Sequence, residues 1–314
     1  MSNPRIRTIF MGTPEFAVKP LLSLIADNSF EVVAVFTNPD EKVGRKQTLS
    51  EPPVKKIAIK NGLPCYQPQK IRTETDLIKK LSPDLIVVVA YGHLIPQEIL
   101  DIPRYACINL HASLLPKYRG ASCLQAPILN GDKTTGLTIM KMEAGLDTGP
   151  ILEQAEIELA PEENLESLRS KLGDLGGKII TRTLKDYIAG KIKERKQEEA
   201  GASYVKITKK ENGKINFSKA AADIEKMVRA FYPWPTAWFE LAGPDGQNRK
   251  IQILKTDTEI IKGRFTEPGQ FFRHQKQLGL QCEQDALAII SLKIEGKNPI
   301  TSQAFMNGYK NLIK

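Results

Sequence analysis

Two polar side chains suited to acyl-transfer chemistry close an apolar segment in "CINLHASLLPKYRG" (residues 107–120). Asn109 and His111 are two positions apart, and on a β-strand such residues point to the same side of the sheet. An asparagine amide can donate hydrogen bonds to an oxygen that gains negative charge. Histidine exchanges protons near neutral pH. We therefore single out this pair as candidate catalytic residues.

A carboxylate that could orient the histidine is Asp147, in the glycine-flanked segment "EAGLDTG" (residues 143–149). Glycines on both sides allow the backbone to turn the side chain inward. An Asn/His/Asp set favours formation of a tetrahedral intermediate and proton transfer, without a covalent enzyme step. The spacing alone is more typical of a structural histidine and of an aspartate that serves only a turn.

The elements that must position these residues are strands alternating with helices. Apolar segments predict strands at 7–13, 31–37, 83–92 and 107–111, and helical spacing predicts helices at 14–27, 51–62 and 75–82. Nearly all-apolar strands that alternate with helices indicate a parallel sheet covered on both faces. Ligands of such sheets bind beyond the carboxyl ends of the strands, which is where Asn109 and His111 lie. Residues 134–159 then predict two strands joined by a glycine-rich loop, and residues 164–190 a long helix.

The remainder of the chain has a different pattern. Residues 191–205 are charged and poor in apolar side chains, which is typical of a linker. Six short strand-like segments follow, separated by glycine and proline turns: "KINF", "TAWFELA", "RKIQILKT", "GQFFRH", "LGLQC" and "ALAIISLKI". One helix is predicted at 221–232. We therefore predict an α/β protein with a catalytic domain (1–190), a linker (191–205) and a small β-barrel domain (206–314).

The net charge of +9 is unevenly distributed along the chain. Residues 1–202 carry 27 Lys and Arg against 25 Asp and Glu, whereas residues 203–314 carry 18 against 11. A basic second half indicates a polyanionic partner, most plausibly nucleic acid, and small basic β-barrels commonly bind it. On charge alone, a basic domain without such a partner fits equally well.

The apolar segments and cysteines narrow the class of protein further. The longest apolar run, "LIVVVA" (85–90), is far shorter than the roughly 20 residues of a membrane span, and the first ten residues do not resemble a signal peptide. We expect a cytoplasmic protein with no membrane partner. The four scattered cysteines lack metal-ligand spacing, so we expect buried thiols and no bound metal.

Two segments resemble the signatures of enzymes that use 10-formyltetrahydrofolate. "NLHASLLPKYRG" (109–120) is similar to their Asn-x-His-x-Ser-Leu-Leu-Pro core, and "EAGLDTGPIL" (143–152) resembles their second signature. The resemblance implies that Asn109, His111 and Asp147 are catalytic and that 10-formyltetrahydrofolate is the formyl donor. It also implies that four residues line the tetrahydrofolate site: Ser113, Leu114, Leu115 and Pro116.

Within these enzymes, the chain resembles the methionyl-tRNA formyltransferases over essentially its whole length. Four further segments carry the likeness: "IFMGTPEFAVKPL" (9–21), "VFTNPDEKVGRKQTL" (35–49), "AYGHLIP" (90–96) and "MVRAFYPWPTAWF" (227–239). This implies a Rossmann-like, doubly wound and mostly parallel sheet followed by an oligonucleotide-binding-like barrel. It implies formyl transfer to the α-amino group of methionyl initiator tRNA for translation initiation, by an enzyme that we expect to be a monomer.

The same resemblance implies that the loop after the second strand contacts the acceptor end of the tRNA. Its Gly-Arg matches Gly44 and Arg45, so Arg45 would be the main contact, and Lys42 and Lys46 would be secondary contacts. This loop is less basic than usual for the family, because Glu41 replaces a common arginine and Gln47 and Thr48 stand where lysines are frequent. Without the resemblance, "DEKVGRK" is typical of a solvated polar loop.

Three other functions are weighed against this one. An enzyme of the same core could act on a sugar amine or hydrolyse the folate, but it would need neither the basic C-terminal part nor the 35–49 loop. An RNA-binding protein with an inactive α/β domain would not need the Asn/His/Asp set. A nicotinamide-dependent reductase is disfavoured because "MGTPEF" lacks the G-x-G-x-x-G turn.

Overall fold

The computed structural model describes residues 4–43, 48–243 and 247–314. It comprises two compact units, which we describe separately. The first unit contains Met1–Cys123, Thr135–Ile157 and Arg169–Lys206, and the second contains Leu124–Thr134, Glu158–Leu168 and Ile207–Lys314. The predicted α/β class, with an α/β part followed by an antiparallel β part, is confirmed.

The elements are numbered in chain order. Up to the long helix they are β1 (Ile6–Gly12), α1 (Val18–Ala26), β2 (Phe30–Phe36), β3 (Glu41–Val43), β4 (Thr48–Ser50), α2 (Pro53–Lys60), β5 (Cys65–Tyr66), α3 (Thr75–Leu81), β6 (Leu85–Val89), α4 (Gln97–Leu100), β7 (Ala106–His111), β8 (Arg119–Gly120), α5 (Gln125–Asn130), β9 (Thr134–Lys141), β10 (Ile151–Glu158) and α6 (Leu165–Ile188). After it come β11 (Tyr204–Val205), α7 (Ala221–Ala230), β12 (Ala237–Ala242), β13 (Asn248–Ile261), β14 (Phe271–His274), β15 (Gln277–Gln281), β16 (Ala286–Ile294), β17 (Ile300–Thr301) and α8 (Ser302–Gly308).

The first unit is built on a seven-stranded sheet with the order β10-β9-β7-β6-β1-β2-β5. From β7 to β5 every neighbouring pair is parallel, and β9 is antiparallel to β7. All five residues of β6 are buried, as expected for a central strand covered on both faces. The predicted doubly wound, mostly parallel sheet is confirmed.

Strand β7 holds the candidate site in a fixed register. Asn109 pairs with Val88 of β6 on one side and with Met140 of β9 on the other. Helix α6 approaches this strand closely at Gly176, where a β-carbon would lie only 2.7 Å from the Leu110 side chain. A residue larger than glycine there would force the Leu110 side chain to move.

The predicted strands and helices of the first unit agree with the structure to within a few residues. The helix predicted at 14–27 begins as a short 3₁₀ turn (Glu15–Ala17) before α1. Two small sheets were not predicted: the β3–β4 hairpin and the pairing of β11 with β8. The predicted linker at 191–205 lies within the first unit, since Tyr204 and Val205 pair with Arg119 and Gly120. The predicted domain boundaries themselves stay predictions.

The second unit is an antiparallel sheet with the order β12-β13-β16-β15-β14, to which β17 adds beside β16. The long β13 shifts its register against β16 at three points and so bends to pair with its neighbours. Its core comprises buried side chains such as Ile224, Phe239, Phe271, Leu280 and Phe305.

The strands predicted for this part are confirmed except "KINF", which forms only an isolated bridge from Lys214 to Trp238. Helix α7 is confirmed as predicted, whereas α8 was not predicted. Among the described residues, no helix combines the length and apolar character needed to cross a membrane.

Candidate active site

The structure brings Asn109, His111 and Asp147 together at the carboxyl end of β7. One carboxylate oxygen of Asp147 (Oδ1) lies 3.4 Å from Asn109 Nδ2, and the other (Oδ2) lies 3.6 Å from His111 Nδ1. Asn109 and His111 belong to the same strand, as the alternation of side chains predicted. Asp147 comes from the connection between β9 and β10. The three side chains therefore form a single polar cluster.

The connection that carries Asp147 depends on an unusual backbone conformation. Asp147 has φ +54°, in the left-handed region, which costs a non-glycine residue on the order of 1 kcal/mol. The flanking glycines have no room for a side chain, because a β-carbon would lie 2.0 Å from Thr148 Oγ1 at Gly145 and 2.0 Å from the Lys141 carbonyl oxygen at Gly149. This packing turns the carboxylate inward, where it accepts a hydrogen bond of 2.8 Å from the Gly120 backbone N–H.

The contacts of His111 determine its protonation. Its Nε2 lies 3.0 Å from the Tyr118 carbonyl oxygen, which can only accept, so Nε2 carries a hydrogen. In the neutral ring the lone pair of Nδ1 would face the Asp147 carboxylate, so a second proton is favoured there. Burial lowers the pKa of His111, but Cys123, Asp147 and the Tyr118 carbonyl outweigh it and raise the pKa to about 9. The contacts of both ring nitrogens therefore favour the imidazolium form of His111.

The Asn109 amide keeps donor capacity for a ligand. Its nitrogen has two hydrogens, and Asp147 Oδ1 at 3.4 Å engages at most one of them. The side chain is only partly buried. Asn109 can thus hold an oxygen that becomes negatively charged beside a fixed positive charge on His111. Within the described ranges, no three His, Cys, Asp or Glu side chains are grouped so as to hold a metal ion.

The Ser-Leu-Leu-Pro segment that follows β7 is held firmly in place. Ser113 is fully buried and donates a hydrogen bond of 2.6 Å to the Lys117 carbonyl oxygen. Leu115 is also buried, and its N–H donates to Thr138 Oγ1 at 3.0 Å. Leu114 and Pro116 are partly exposed. A ligand can therefore touch the side chains of Leu114 and Pro116, while Ser113 and Leu115 fix the shape of the loop.

Of the three cations expected to contact tRNA, only Lys42 lies in the described part of the chain. It is exposed in β3, which pairs antiparallel with β4. Arg45 and Lys46 lie outside the described residues. At the start of the hairpin, Asp40 accepts hydrogen bonds from Lys55 at 2.7 and 2.9 Å and from Gln67 at 2.8 Å.

Several residues at or near functional positions were missed by the sequence analysis. Arg119 and Gln197 are buried beside the Asp147 turn. Arg119 belongs to the Arg-Gly that closes the motif at 109–120, but it was given no role of its own. Gln197 carried no signal, because it lies in a polar segment interpreted as a linker.

A basic and aromatic patch on the second unit was missed as well. Lys250 Nζ lies 3.8 Å from the centre of the Trp238 ring, and Lys214 Nζ lies 5.7 Å from it. Burial and the neighbouring Lys210 lower the pKa of Lys250. These two ammonium groups beside one ring give this surface a local positive charge.

Comparison with known proteins agrees with this arrangement. The formyl transferase family model matches residues 5–184, and the model for the formyl transferase C-terminal domain matches residues 206–310. Among solved structures, an N-formyltransferase from Helicobacter canadensis has a TM-score of 0.67 at 19% identity and covers 90% of this chain and 99% of its own. A sugar 3N-formyl transferase, WlaRD, has a TM-score of 0.63 at 20% identity and covers 94% and 100%. These two likenesses concern the fold.

Curated relatives are similar over nearly the whole chain. The methionyl-tRNA formyltransferase of Geobacter sulfurreducens is 41% identical over 97% of this chain and 94% of its own length. Those of Geotalea uraniireducens and Idiomarina loihiensis are 42% and 39% identical, and each alignment covers at least 96% of both chains. The chain belongs to the methionyl-tRNA formyltransferase family.

Proposed function

We propose that this enzyme transfers the formyl group of 10-formyltetrahydrofolate to the α-amino group of methionine esterified to initiator tRNA. The observation that carries the proposal is the cluster of Asn109, His111 and Asp147, with contacts of 3.4 and 3.6 Å, in a chain of this family. The product would be N-formylmethionyl-tRNA for translation initiation. We expect the enzyme to act as a monomer in the cytoplasm.

The proposed reaction begins when the neutral amine attacks the formyl carbon. The new C–N bond turns the formyl oxygen into an oxyanion, which accepts a hydrogen bond from Asn109 and lies in the field of the His111 imidazolium. The attacking nitrogen gives up a proton, which passes through a water held by His111 and Asp147 to the N10 of the folate. The intermediate then collapses, the C–N10 bond breaks, and tetrahydrofolate leaves as a neutral amine.

The folate would bind against the segment that follows β7. We assign Ser113, Leu114, Leu115 and Pro116 to this site from the resemblance of their motif. The partly exposed Leu114 and Pro116 are suited to contact the donor. Gln154 Nε2 donates to the Leu115 carbonyl oxygen at 2.8 Å, which holds this segment in place.

The tRNA would be held by cations that do not take part in the chemistry. We assign the main contact to Arg45 and secondary contacts to Lys42 and Lys46, and we add the patch around Trp238. A Lys or Arg that neutralises a phosphate releases a counterion, so its contribution weakens as salt rises.

The variant Arg45→Ala is expected to raise KM for methionyl-tRNA and leave kcat nearly unchanged. The slope of log KM against log salt should become shallower by roughly one unit, as for the loss of one phosphate contact. Steady-state assays at several salt concentrations measure both effects. Lys60→Ala, at an exposed position ending α2, is the control. A fall in kcat with an unchanged KM would assign Arg45 to the chemistry instead.

The pH dependence of kcat/KM should be bell-shaped. The rising limb reflects deprotonation of the substrate amine, and the falling limb reflects loss of the His111 proton near its raised pKa of about 9. Asp147→Asn removes a carboxylate that favours the imidazolium, so the falling limb should move to lower pH. Asp174→Asn, on the outer face of α6, should leave both limbs in place. An unmoved falling limb in Asp147→Asn would contradict the assignment to His111.

The function itself is tested with 10-formyltetrahydrofolate and methionyl initiator tRNA. Uncharged initiator tRNA and methionyl elongator tRNA are the controls. Formyl transfer to the charged initiator alone supports the proposal. Release of tetrahydrofolate without formylated tRNA would instead indicate a hydrolase, or an enzyme for a sugar amine such as those that share its fold.

A further inference from the structure

The Gln197 side chain connects directly to the backbone on both sides of the Asp147 turn. Its Nε2 donates one hydrogen bond of 2.8 Å to the Asp147 carbonyl oxygen and another of 2.8 Å to the Gly149 carbonyl oxygen. Only 5% of Gln197 is exposed. Both hydrogens of the amide are therefore used to hold two alternate residues of one short connection.

The orientation of this amide is fixed by a buried guanidinium. Gln197 Oε1 accepts from Arg119 Nε at 3.1 Å and from Arg119 Nη2 at 3.0 Å. Arg119 is fully buried. Because a guanidinium can only donate, it forces the amide oxygen towards itself and the amide nitrogen towards the Asp147 turn. Two contacts with Glu199, at 2.8 and 3.0 Å, hold the other edge of the guanidinium.

The opposite side of Asp147 is held by the residue next to Arg119. The Gly120 N–H donates to the carboxylate, and Gly120 has φ +105° and lies against Val205 in the β8–β11 pair. Gly120 thus holds the carboxylate of Asp147, and Gln197 holds its backbone carbonyl group. Both hydrogen bonds depend on the packing of residues 195–205 against β8.

We infer that Gln197, oriented by Arg119, is a positioning residue that holds Asp147 against His111. The inference rests on the proposed function in one respect: Asp147 must matter for formyl transfer if activity is to respond. It also assigns a role to residues 191–205, which the sequence presents as a passive linker. This segment completes the active site of the first unit.

The physical reason lies in the strain of the turn. A left-handed aspartate has conformations of lower energy available, and the two hydrogen bonds that Gln197 donates to its turn make this one favourable. Without the amide, the carbonyl groups of Asp147 and Gly149 are left unsatisfied and the turn relaxes. Asp147 Oδ2 then moves away from His111 Nδ1, and displacements near 1 Å can cost about 10²-fold in rate.

The test uses the full-length variant Gln197→Met, which keeps the length of the side chain but cannot donate. The first readout is the pKa of His111, which is measured by NMR titration of its imidazole ring. The chain has three histidines, and the His111 signal is identified by its loss in His111→Asn. Two titratable groups, Asp147 and Cys123, act on His111. Only Asp147 is bonded to Gln197, so we expect the pKa of His111 to fall in Gln197→Met.

The second readout is kinetic. In Gln197→Met, kcat should fall about 10- to 100-fold while KM for methionyl-tRNA changes little. Glu198→Gln is the matched control, because it replaces a carboxylate with an amide at the adjacent, exposed position. It should leave kcat and the pKa of His111 unchanged. A role confined to stability would lower the unfolding temperature and leave the His111 pKa of the folded protein where it was.

A second variant covers the case in which Gln197→Met does not fold. Gln197→Glu keeps two acceptors for the buried Arg119 guanidinium but removes both donated bonds, and it should lower kcat to a similar degree. Wild-type kcat in this variant would overturn the inference, as would an unchanged His111 pKa in folded Gln197→Met. The NMR readout needs no substrate. A shifted His111 pKa in a wild-type protein that fails to formylate tRNA would leave the inference standing and reject only the proposed function.

Discussion

Replacing Asn109 with alanine is expected to lower kcat for formyl transfer by about 10²–10³-fold, the usual effect of removing one donor to an oxyanion. The amide is the hydrogen-bond donor on β7 closest to Asp147, and it keeps at least one N–H for substrate. The negative charge on the formyl oxygen exists only after the amine has attacked. Asn109 should therefore stabilise the transition state much more than the bound substrates.

The measurement is steady-state kinetics with methionyl-tRNA and 10-formyltetrahydrofolate varied in turn, together with direct binding of the tRNA. KM for the tRNA and its affinity should change by less than about threefold. Asn109→Asp, which keeps the shape but loses the donors, should be impaired to a similar degree. Asn61→Ala, at an exposed position after α2, is the control. Parallel losses in kcat and tRNA affinity would contradict a role limited to the oxyanion.

Replacing His111 with glutamine is expected to lower kcat by about 10²–10⁴-fold, in the range found for residues that act in proton transfer. The substitution removes the positive charge that lies 3.6 Å from the Asp147 carboxylate. That carboxylate would then face the developing oxyanion uncompensated, so the loss should exceed that of a single hydrogen bond.

This variant has a distinctive pH profile. The falling limb of kcat/KM near pH 9, which we assign to His111, should disappear, while the rising limb of the substrate amine remains. The control is His274→Gln in the second unit, where the ring contacts Phe265. If the falling limb survived in His111→Gln, the titrating group would have to be another residue.

The organisation of the fold could be predicted from the sequence because it depends on local patterns. Apolar runs such as "LIVVVA" reveal strands buried on both faces, and the helical spacing after each strand reveals a covering layer. The pair at 109 and 111 was predictable for the same reason, since alternation along a strand places both side chains on one side. The C-terminal helix α8 was not predicted because it is short. An amphipathic pattern can be recognised in a sequence only when it extends over several helical turns.

The sequence by itself determined which residues could react and, through the resemblance of its motifs, which reaction they serve. Only the tertiary structure decided that Asp147 meets His111 in a geometry that favours its charged form, and that Gln197 and Arg119 hold the turn. Strand and helix periodicity depends on near neighbours along the chain. Contacts between residues 36 or more positions apart depend on how the finished elements pack. The pKa of a buried group depends on that packing as well.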